Sequence, residues 1–427
     1  MRLGLPPRPR GSRCVRVVCV FLLAGLLLAT GTPSSCVWAA GSSQQRETGT
    51  GRVQAFKSPH FLVRTDLSAD DAREQLKQLE SMLKLISNYW GRPPAGLIEC
   101  FVVHDLANWS PQQQKAMEGP GLDSIRKGLG VSIGTGRSNG KRMLFQAKVY
   151  GVARQGVVLH ESVHAYCQQT FGNTGPLWYA EGMAELGHYW VEGNRGVNAP
   201  QVVINYLRNN PRRKLEAIVV NKKTLGGSGE DYAWWWSLCH LLENNPNYRA
   251  QFRALGRDIL AGKETTFRDV FGKRLRQIEF ELDFFLDHLE RDYRVDLCCW
   301  DWKRDFNGEG TSAVVRANRG WQPSGLRLRA GREYRYSASG FWRFGKDGES
   351  LSADGAADGQ GRLVGVLLKD YKLGEEFELG RSGTFRAPSD GDLYLRCRAP
   401  WTKIADNADR VLVKIRGDGI DHSIARQ

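Results

Sequence analysis

The sequence lacks an apolar run long enough to cross a membrane as a helix. Its most apolar segment, residues 17–29, has 13 residues, whereas a membrane-spanning helix needs about 20. The sequence also contains no internal repeat and, after Arg16, no block of five or more like charges. These absences exclude a multispan membrane protein and a solenoid of short repeats.

Acidic residues are missing from the first forty positions, which carry five arginines. The arginines precede the apolar segment 17–29, and helix breakers and the small residues Ala39 and Ala40 follow it. A basic segment, an apolar segment and a small-residue cleavage site are typical of a secretory signal peptide. We therefore expect residues 1–40 to export the chain to the periplasm or the cell exterior; an uncleaved membrane anchor is the alternative. Residues 41–51, rich in Gly, Ser, Gln and Thr, are the expected linker.

The formal charge is +14, and the chain after residue 40 carries +9 of it. Such an excess suits nucleic acid, an anionic membrane or an acidic glycan, or only a solvated basic surface. Because the charges are dispersed, we favour the solvated surface and do not expect a nucleic-acid partner. Six of the nine cysteines follow the leader, without zinc-ribbon spacing. Export permits disulfides, but the pairing stays open.

The pattern of apolar residues predicts an α+β fold followed by an all-β part. Period-two alternation predicts strands near 53–65, 97–104 and 143–150, and helical spacing predicts a helix over Asp70–Trp90. Further helices are expected over residues 157–171, 177–191, 232–243, 249–261 and 267–293. These elements predict a domain over 52–295, a linker over 296–320 and a β-sandwich over 321–418, where short alternating runs are separated by Gly, Asp and Ser.

The segment His160-Glu161-Ser162-Val163-His164 matches the pattern His-Glu-x-x-His. On a helix, residues four apart share one face, so that both imidazoles can reach one ion. Glu161 then lies beside the ion, where a general base for activated water is needed. Because this short pattern also occurs by chance, two surface histidines near an unrelated glutamate are the alternative interpretation.

A second element supports a metal site. Glu181 follows His164 after 16 intervening residues, which include a turn rich in Gly, Asn and Pro. Catalytic zinc favours three protein ligands, and two histidines with one glutamate form such a set. Glu185 lies one helical turn further along, where it can accept the free imidazole N–H of a ligand histidine.

The pieces His160-Glu161-x-x-His164 and Trp178-x-x-Glu181-Gly182-x-Ala184 resemble those of the gluzincin metallopeptidases. More narrowly, residues 56–290 resemble secreted peptidase-MA-like domains. The resemblance implies a thermolysin-like zincin domain, mostly helical around the site with a small sheet. It also implies that His160, His164 and Glu181 bind one Zn²⁺ and that Glu161 is the general base and acid.

The activity that this resemblance implies is hydrolysis of peptide bonds in a peptide or protein substrate, by water that zinc activates. The sequence before the motif lacks the Gly-x-Met-Glu-Asn signature of aminopeptidases, which favours an endopeptidase. In gluzincins a downstream tyrosine or histidine often stabilises the oxyanion, and Tyr232 is the candidate here. A buried tyrosine bonded to the backbone is an equal alternative.

Other residues that suggest chemistry have simpler interpretations. His188 shares a helical face with Glu181 and could compete as a ligand, but a core or rim histidine is the preferred interpretation. The run Trp234-Trp235-Trp236 suggests a stacking platform, yet three consecutive helical residues point three ways, so we predict core packing. No role is assigned to the remaining histidines, which are His60, His104, His240, His288 and His422.

The predicted β-sandwich is loosely similar to calcium-dependent galactose-binding lectin domains of bacteria, through Trp321, Gly325, Gly331, Ser339-Gly340, residues 393–395 and Asp406-Asn407. The resemblance implies oxygen ligands for Ca²⁺ from Asp406, Asn407 and Asp409. It also implies a glycan or another cell-surface ligand. A sandwich that only supports the catalytic domain is the preferred alternative. A secreted, non-catalytic binding protein on a zincin-like scaffold remains the competing function.

Overall fold

The computed structural model describes residues 49–138, 143–220, 227–308, 310–345 and 348–417. It is a mixed α/β structure with a β-rich C-terminal part, as the sequence predicts. The predicted signal peptide, most of the predicted linker 41–51, residue 418 and His422 lie outside the described residues. Within the described ranges, no helix combines the length and apolar character needed to cross a membrane.

The N-terminal sheet has five strands in the order β1-β2-β3-β5-β4, and its three central strands run parallel. Both edge strands are antiparallel to their neighbours. The predicted strand near 53–65 is in fact a hairpin, whose first strand begins within the predicted linker. The elements of this part are β1 (Gly49–Lys57), β2 (Phe61–Leu67), α1 (Ala69–Trp90), β3 (Ile98–Val103), α2 (Pro111–Lys115), α3 (Gly119–Arg126), β4 (Gly130–Ser138) and β5 (Met143–Val152).

Helix α1 shows how the sequence sets its bounds. The Ser68 hydroxyl caps the first turn by accepting from the Asp71 N–H, and Gly91 ends the helix in the left-handed conformation. One stripe of the helix is buried against the sheet, and its members are Leu76, Leu79, Met82, Leu83 and Ile86. Burial of this stripe, rather than helix propensity, holds the helix in place.

A helical region follows the sheet and carries the predicted site. Its members are α4 (Gln155–Phe171), α5 (Leu177–His188), α6 (Gln201–Asn209), α7 (Leu215–Ile218), α8 (Gly229–Asn244), α9 (Arg249–Leu260), α10 (Phe267–Phe271), α11 (Leu275–Asp287) and α12 (Val295–Cys298). The predicted single helix over 267–293 is wrong, because a 3₁₀ turn at Gly272–Arg274 separates α10 from α11. Gly272 lowers helix propensity there, while the apolar spacing continues through it.

Two antiparallel sheets form the β-rich part, and their inner residues share one hydrophobic core. One sheet has the order β11-β10-β14-β7, with β12 beside β10; the other has the order β13-β8-β15-β6, with β9 beside β8. The strands are β6 (Gly310–Arg316), β7 (Gln322–Leu328), β8 (Glu333–Arg343), β9 (Ser350–Leu351), β10 (Leu363–Lys369), β11 (Lys372–Leu373), β12 (Phe377–Glu378), β13 (Ser382–Arg386), β14 (Gly391–Cys397) and β15 (Ala408–Gly417).

The predicted linker 296–320 is not an open connection. It contains α12 and β6, and β6 pairs with β15 along its whole length. Trp300 of this segment forms a core cluster with Trp321, Tyr394 and Phe284 of α11. The helical region and the β-rich part are therefore packed against each other through aromatic side chains.

A buried carboxylate reinforces this junction. Glu281 of α11 accepts hydrogen bonds from the Tyr248 hydroxyl (2.6 Å), the Asn245 side-chain amide (2.6 Å) and the Trp302 indole N–H (2.7 Å). The Trp300 N–H donates to the same carboxylate at 3.3 Å. Because Glu281 is only 3% exposed, these bonds replace its lost hydration.

Candidate metal centre

Helix α4 presents both motif histidines on one face. The helix is buried nearly all round, and its apolar side chains pack against the sheet and α1. Gly172 ends it in the left-handed conformation. The turn after Gly172 reverses the chain, so that α5 returns across α4 and brings Glu181 to the two histidines.

His160, His164 and Glu181 meet at three atoms. The distance between the two Nε2 atoms is 3.2 Å, and Glu181 Oε2 lies 3.2 Å from the one and 3.3 Å from the other. All three side chains are at most 1% exposed. Ligand atoms around tetrahedral zinc, with bonds of about 2.0–2.1 Å, are separated by about 3.3 Å. The three atoms therefore have the spacing that this ion requires.

Glu161 lies beside these atoms under strand β4. A Cβ atom at Gly130 would lie 2.7 Å from Glu161 Cγ, so the strand and the carboxylate side chain are in close contact. Glu161 is fully buried and has no side-chain hydrogen-bond partner among the described residues. Burial raises the pKa of its carboxyl group to about 8, against the opposing effect of His160.

Glu185 lies on the far side of His160 from Glu181. Its Oε1 atom is 3.1 Å from His160 Nδ1 and 3.3 Å from His188 Nδ1. The carboxylate thus lies within ion-pair distance of the ring nitrogen of His160 that does not face Glu181. His188 is one-quarter exposed, and its Nδ1 contacts Glu185 rather than Glu181.

The electrostatics of the cluster favour a bound cation. Burial raises the pKa of Glu181, but His164 and His160 lower it further, to about 2. Burial lowers the pKa of His160, yet the carboxylates of Glu181 and Glu185 raise it to about 10. At neutral pH the carboxylates of Glu181 and Glu185 then outnumber the one cationic imidazole, and a divalent cation would neutralise this buried negative charge.

Tyr232, in the first turns of α8, faces the same cluster. Its ring centroid lies 6.3 Å from that of His160, and the ring is buried. Burial, with the nearby carboxylates of Glu181, Glu185 and Glu161, raises the pKa of the hydroxyl well above its usual range. The tyrosine therefore remains a neutral hydrogen-bond donor beside the candidate ligands.

Several other predicted roles have clear structural outcomes. Trp234, Trp235 and Trp236 are each at most 3% exposed, which confirms that they are core residues. His60 pairs with Glu80, outside the candidate centre. Among the described residues, the two groups of His, Cys, Asp or Glu with metal-binding spacing are His160–His164–Glu181 and His160–Glu185–His188. They share His160 and form one continuous cluster.

The residues suggested for calcium are engaged within the β-rich part. The Asn407 side chain is buried, and its Oδ1 accepts from the Gly345 N–H at 2.9 Å. Asp409 pairs with Arg343 at 3.0 Å, and Asp406 is exposed. This geometry adds nothing in favour of calcium, which stays a prediction.

Two features of the centre were not foreseen from the sequence. One is the contact between Gly130 and Glu161, because no local pattern links residues that are so far apart in the chain. The other is the pairing of His188 with Glu185. The three-residue separation on a helix was a usable signal for that contact.

Comparisons with known proteins leave the function open. No protein-family model and no curated protein matches the chain. A solved structure titled "EclA N-terminal domain; PllA-like lectin" is similar to part of this chain, at 22% sequence identity and a TM-score of 0.22. The similarity covers 25% of this chain and 96% of the chain in that structure. A likeness at this level carries no argument about this protein.

Proposed function

We propose that this protein is an exported zinc-dependent metallopeptidase of the gluzincin kind, in which residues 52–295 form the zincin domain. The observation that carries the proposal is the triangle of His160 Nε2, His164 Nε2 and Glu181 Oε2, with sides of 3.2–3.3 Å. The donor set, its burial and the neighbouring carboxylates all fit Zn²⁺.

Bound there, Zn²⁺ would supply a Lewis acid for the substrate carbonyl and would increase the acidity of a water molecule. Glu161 would accept the proton of that water on its carboxylate and return it to the leaving amine. The Tyr232 hydroxyl would donate a hydrogen bond to the developing oxyanion. Glu185 would hold the ring of His160 through Nδ1.

The edge strand β4 suggests how a peptide would be aligned. This strand pairs with β5 on one side, and no described strand pairs with its other side. An extended peptide can add to such an edge through backbone hydrogen bonds. Because Gly130 of β4 contacts Glu161, a peptide bound along this edge would pass close to the general base.

The test combines metal analysis with a peptide-library digest, both on the exported protein after removal of its predicted signal peptide. We expect about one zinc per chain and chelator-sensitive cleavage. His164→Ala should abolish zinc retention, whereas Glu161→Gln should keep the metal and lose at least about 100-fold in rate. The exposed residues His104 and Glu192 provide the matched controls, His104→Ala and Glu192→Gln.

Two results would overturn the proposal. The first is a protein without zinc that still cleaves the library. The second is a Glu161→Gln variant that keeps full activity. Zinc retention without any cleavage by the wild type would instead favour the non-catalytic alternative, in which the β-rich part carries the binding function on a zincin-like scaffold.

A further inference from the structure

One face of the β-rich part has an unusual composition. In the sheet β13-β8-β15-β6, alternate residues point inward into the shared core, as Val411, Val413 and Ile415 do. The intervening residues form what we name the outer face. The strand pairing shows which residues of neighbouring strands lie opposite each other on this face.

The outer face is basic. It carries Arg316, Arg335, Arg410, Lys414 and Arg416, all exposed. The other paired positions of this face are Ser, Thr, Gly or apolar residues, apart from Glu333, Arg343 and Arg386 at its borders. The nearest acids lie at its borders, where Asp409 pairs with Arg343 at 3.0 Å and Glu333 is opposite Arg386.

The register places like charges side by side. Arg410 is directly opposite Arg316, and Arg416 is directly opposite Arg335. Like charges at directly opposed positions destabilise a sheet. The pair of Arg316 and Arg410 is therefore poorly explained by folding alone, whereas an anionic partner would turn the repulsion into attraction.

Exposed apolar side chains lie among these cations. Phe341 is 62% exposed, Val314 is 49% exposed and Leu412 is 36% exposed. Leu412 lies directly opposite Val314. Phe341 lies opposite Arg410, which makes it a diagonal neighbour of Leu412 across the strands β8 and β15. The three side chains therefore form a small apolar patch between arginines.

We infer that the outer face binds the surface of an anionic phospholipid membrane. Arginine and lysine would contact the lipid phosphates, and Phe341, Leu412 and Val314 would enter the boundary between headgroups and acyl chains. A nucleic acid or acidic glycan would also attract the cations. Neither of them has an apolar surface that would bury the aliphatic side chains of Val314 and Leu412. The apolar patch therefore favours a lipid membrane as the partner.

The experiment measures cosedimentation of the exported protein, from which the predicted signal peptide 1–40 has been removed, with vesicles. Vesicles of phosphatidylglycerol and phosphatidylcholine in equal parts should bind the protein, whereas pure phosphatidylcholine vesicles should not. Because each cation near an anionic membrane contributes about fivefold in affinity, the double variant Arg410→Glu, Lys414→Glu should lose at least about 25-fold. Phe341→Ser should lose roughly tenfold, the scale of burying part of an aromatic ring.

Matched controls distinguish an effect of the outer face from effects of net charge and of exposed apolar surface elsewhere on the protein. Lys115→Glu, Lys372→Glu makes the same charge change at exposed sites elsewhere, and Leu373→Ser removes an exposed apolar residue from the opposite sheet. Both should bind anionic vesicles as the wild type does. Glu161→Gln should also bind normally, since the inference does not depend on the metal centre.

Three outcomes would overturn the inference. The first is equal binding to neutral and anionic vesicles. The second is unchanged binding of the charge-reversed variant, provided that its melting temperature equals that of the wild type. The third is retention on heparin or a DNA duplex that depends on Arg410 and Lys414 without any vesicle binding, which would assign the face to a different polyanion.

Discussion

At the scale of single residues, the candidate centre depends on one carboxylate that serves two histidines. Glu185 lies 3.1 Å from His160 Nδ1 and 3.3 Å from His188 Nδ1. Carboxylates in this position fix the ring orientation of a ligand histidine and increase its basicity. The proposal of a zinc centre therefore leads to predictions for both Glu185 and His188.

We predict that Glu185→Ala weakens zinc binding by about 10–100-fold. His188→Ala should have a smaller effect in the same direction, because His188 acts on the metal only through Glu185. Competition with a chelating dye measures both, and Glu192→Ala at an exposed site is the control. A His188→Ala effect larger than that of Glu185→Ala would show that His188 is itself a ligand.

Tyr232 allows a second prediction at this scale. Tyr232→Phe should lower turnover by about 100-fold, the usual effect of removing one oxyanion donor. Zinc content should stay unchanged, because the hydroxyl is not among the proposed ligands. Steady-state kinetics and metal analysis measure the two effects, with Tyr371→Phe as the control. Unchanged kinetics would reduce Tyr232 to a core residue.

The residues of the centre were predictable from sequence to different degrees. His160, His164 and Glu181 were predicted together because helical spacing and a reversing turn limit where they can lie. The structure brings these three together. Tyr232 lies near them, but only the resemblance to a family pointed to it. The contact of Glu161 with Gly130 depends on the sheet order, which no local pattern encodes.

At the scale of secondary-structure elements, the edge strand β4 has a close contact with the motif helix α4. A Cβ atom at Gly130 would lie 2.7 Å from both Glu161 Cγ and Val157 Cγ1. These are shorter than normal van der Waals contacts, so that α4, β4 or the Glu161 side chain would have to move. The glycine is thus required by packing.

If the chain is the proposed peptidase, Gly130→Ala should lower its rate at least tenfold, because a displaced Glu161 would no longer meet the reacting water in the right geometry. Zinc retention should persist, and overpacking should lower the free energy of unfolding by about 1–3 kcal/mol. Gly119→Ala is the control, since a Cβ atom there meets nothing within 4 Å. Equal rates for the two variants would contradict the assigned position of Glu161.

Two strands that the sequence failed to predict, β4 and β6, have few side chains that could form an alternating pattern. Strand β4 contains Gly130, Gly134 and Gly136, and glycine removes the side chains on which an alternating pattern depends. Strand β6 has only Ala313 and Val315 as buried apolar positions, too few to distinguish it from a linker. In contrast, α1 has a long apolar stripe and was predicted to within one residue at its start.

At the scale of the whole molecule, the junction between the helical region and the β-rich part combines an aromatic cluster with the buried Glu281. Every hydrogen-bond contact to this carboxylate comes from a donor: a hydroxyl, an indole, amides and a backbone N–H. An amide side chain at this position would direct its own NH₂ group at one of these donors.

We predict that Glu281→Gln lowers the free energy of unfolding by about 2 kcal/mol, the scale of an unsatisfied buried polar group. Glu290→Gln is the control, because Glu290 is 56% exposed in its ion pair with Arg208 and exposed pairs contribute little. Urea denaturation followed by tryptophan fluorescence measures both. Equal midpoints would mean that the junction does not depend on this carboxylate.

The enclosure of the candidate metal-ligand atoms bears on how quickly an ion could be exchanged. His160, His164 and Glu181 are at most 1% exposed, so an incoming ion or a chelator would reach them only when the surrounding structure opens, and the substrate of the proposed peptidase would need an opening as well. The free energy of that opening would set the exchange rate, whatever the intrinsic affinities of competing metals. An ion captured while the chain folds would then remain for a long time. The identity of the bound metal would then depend on which ions are available where the chain folds.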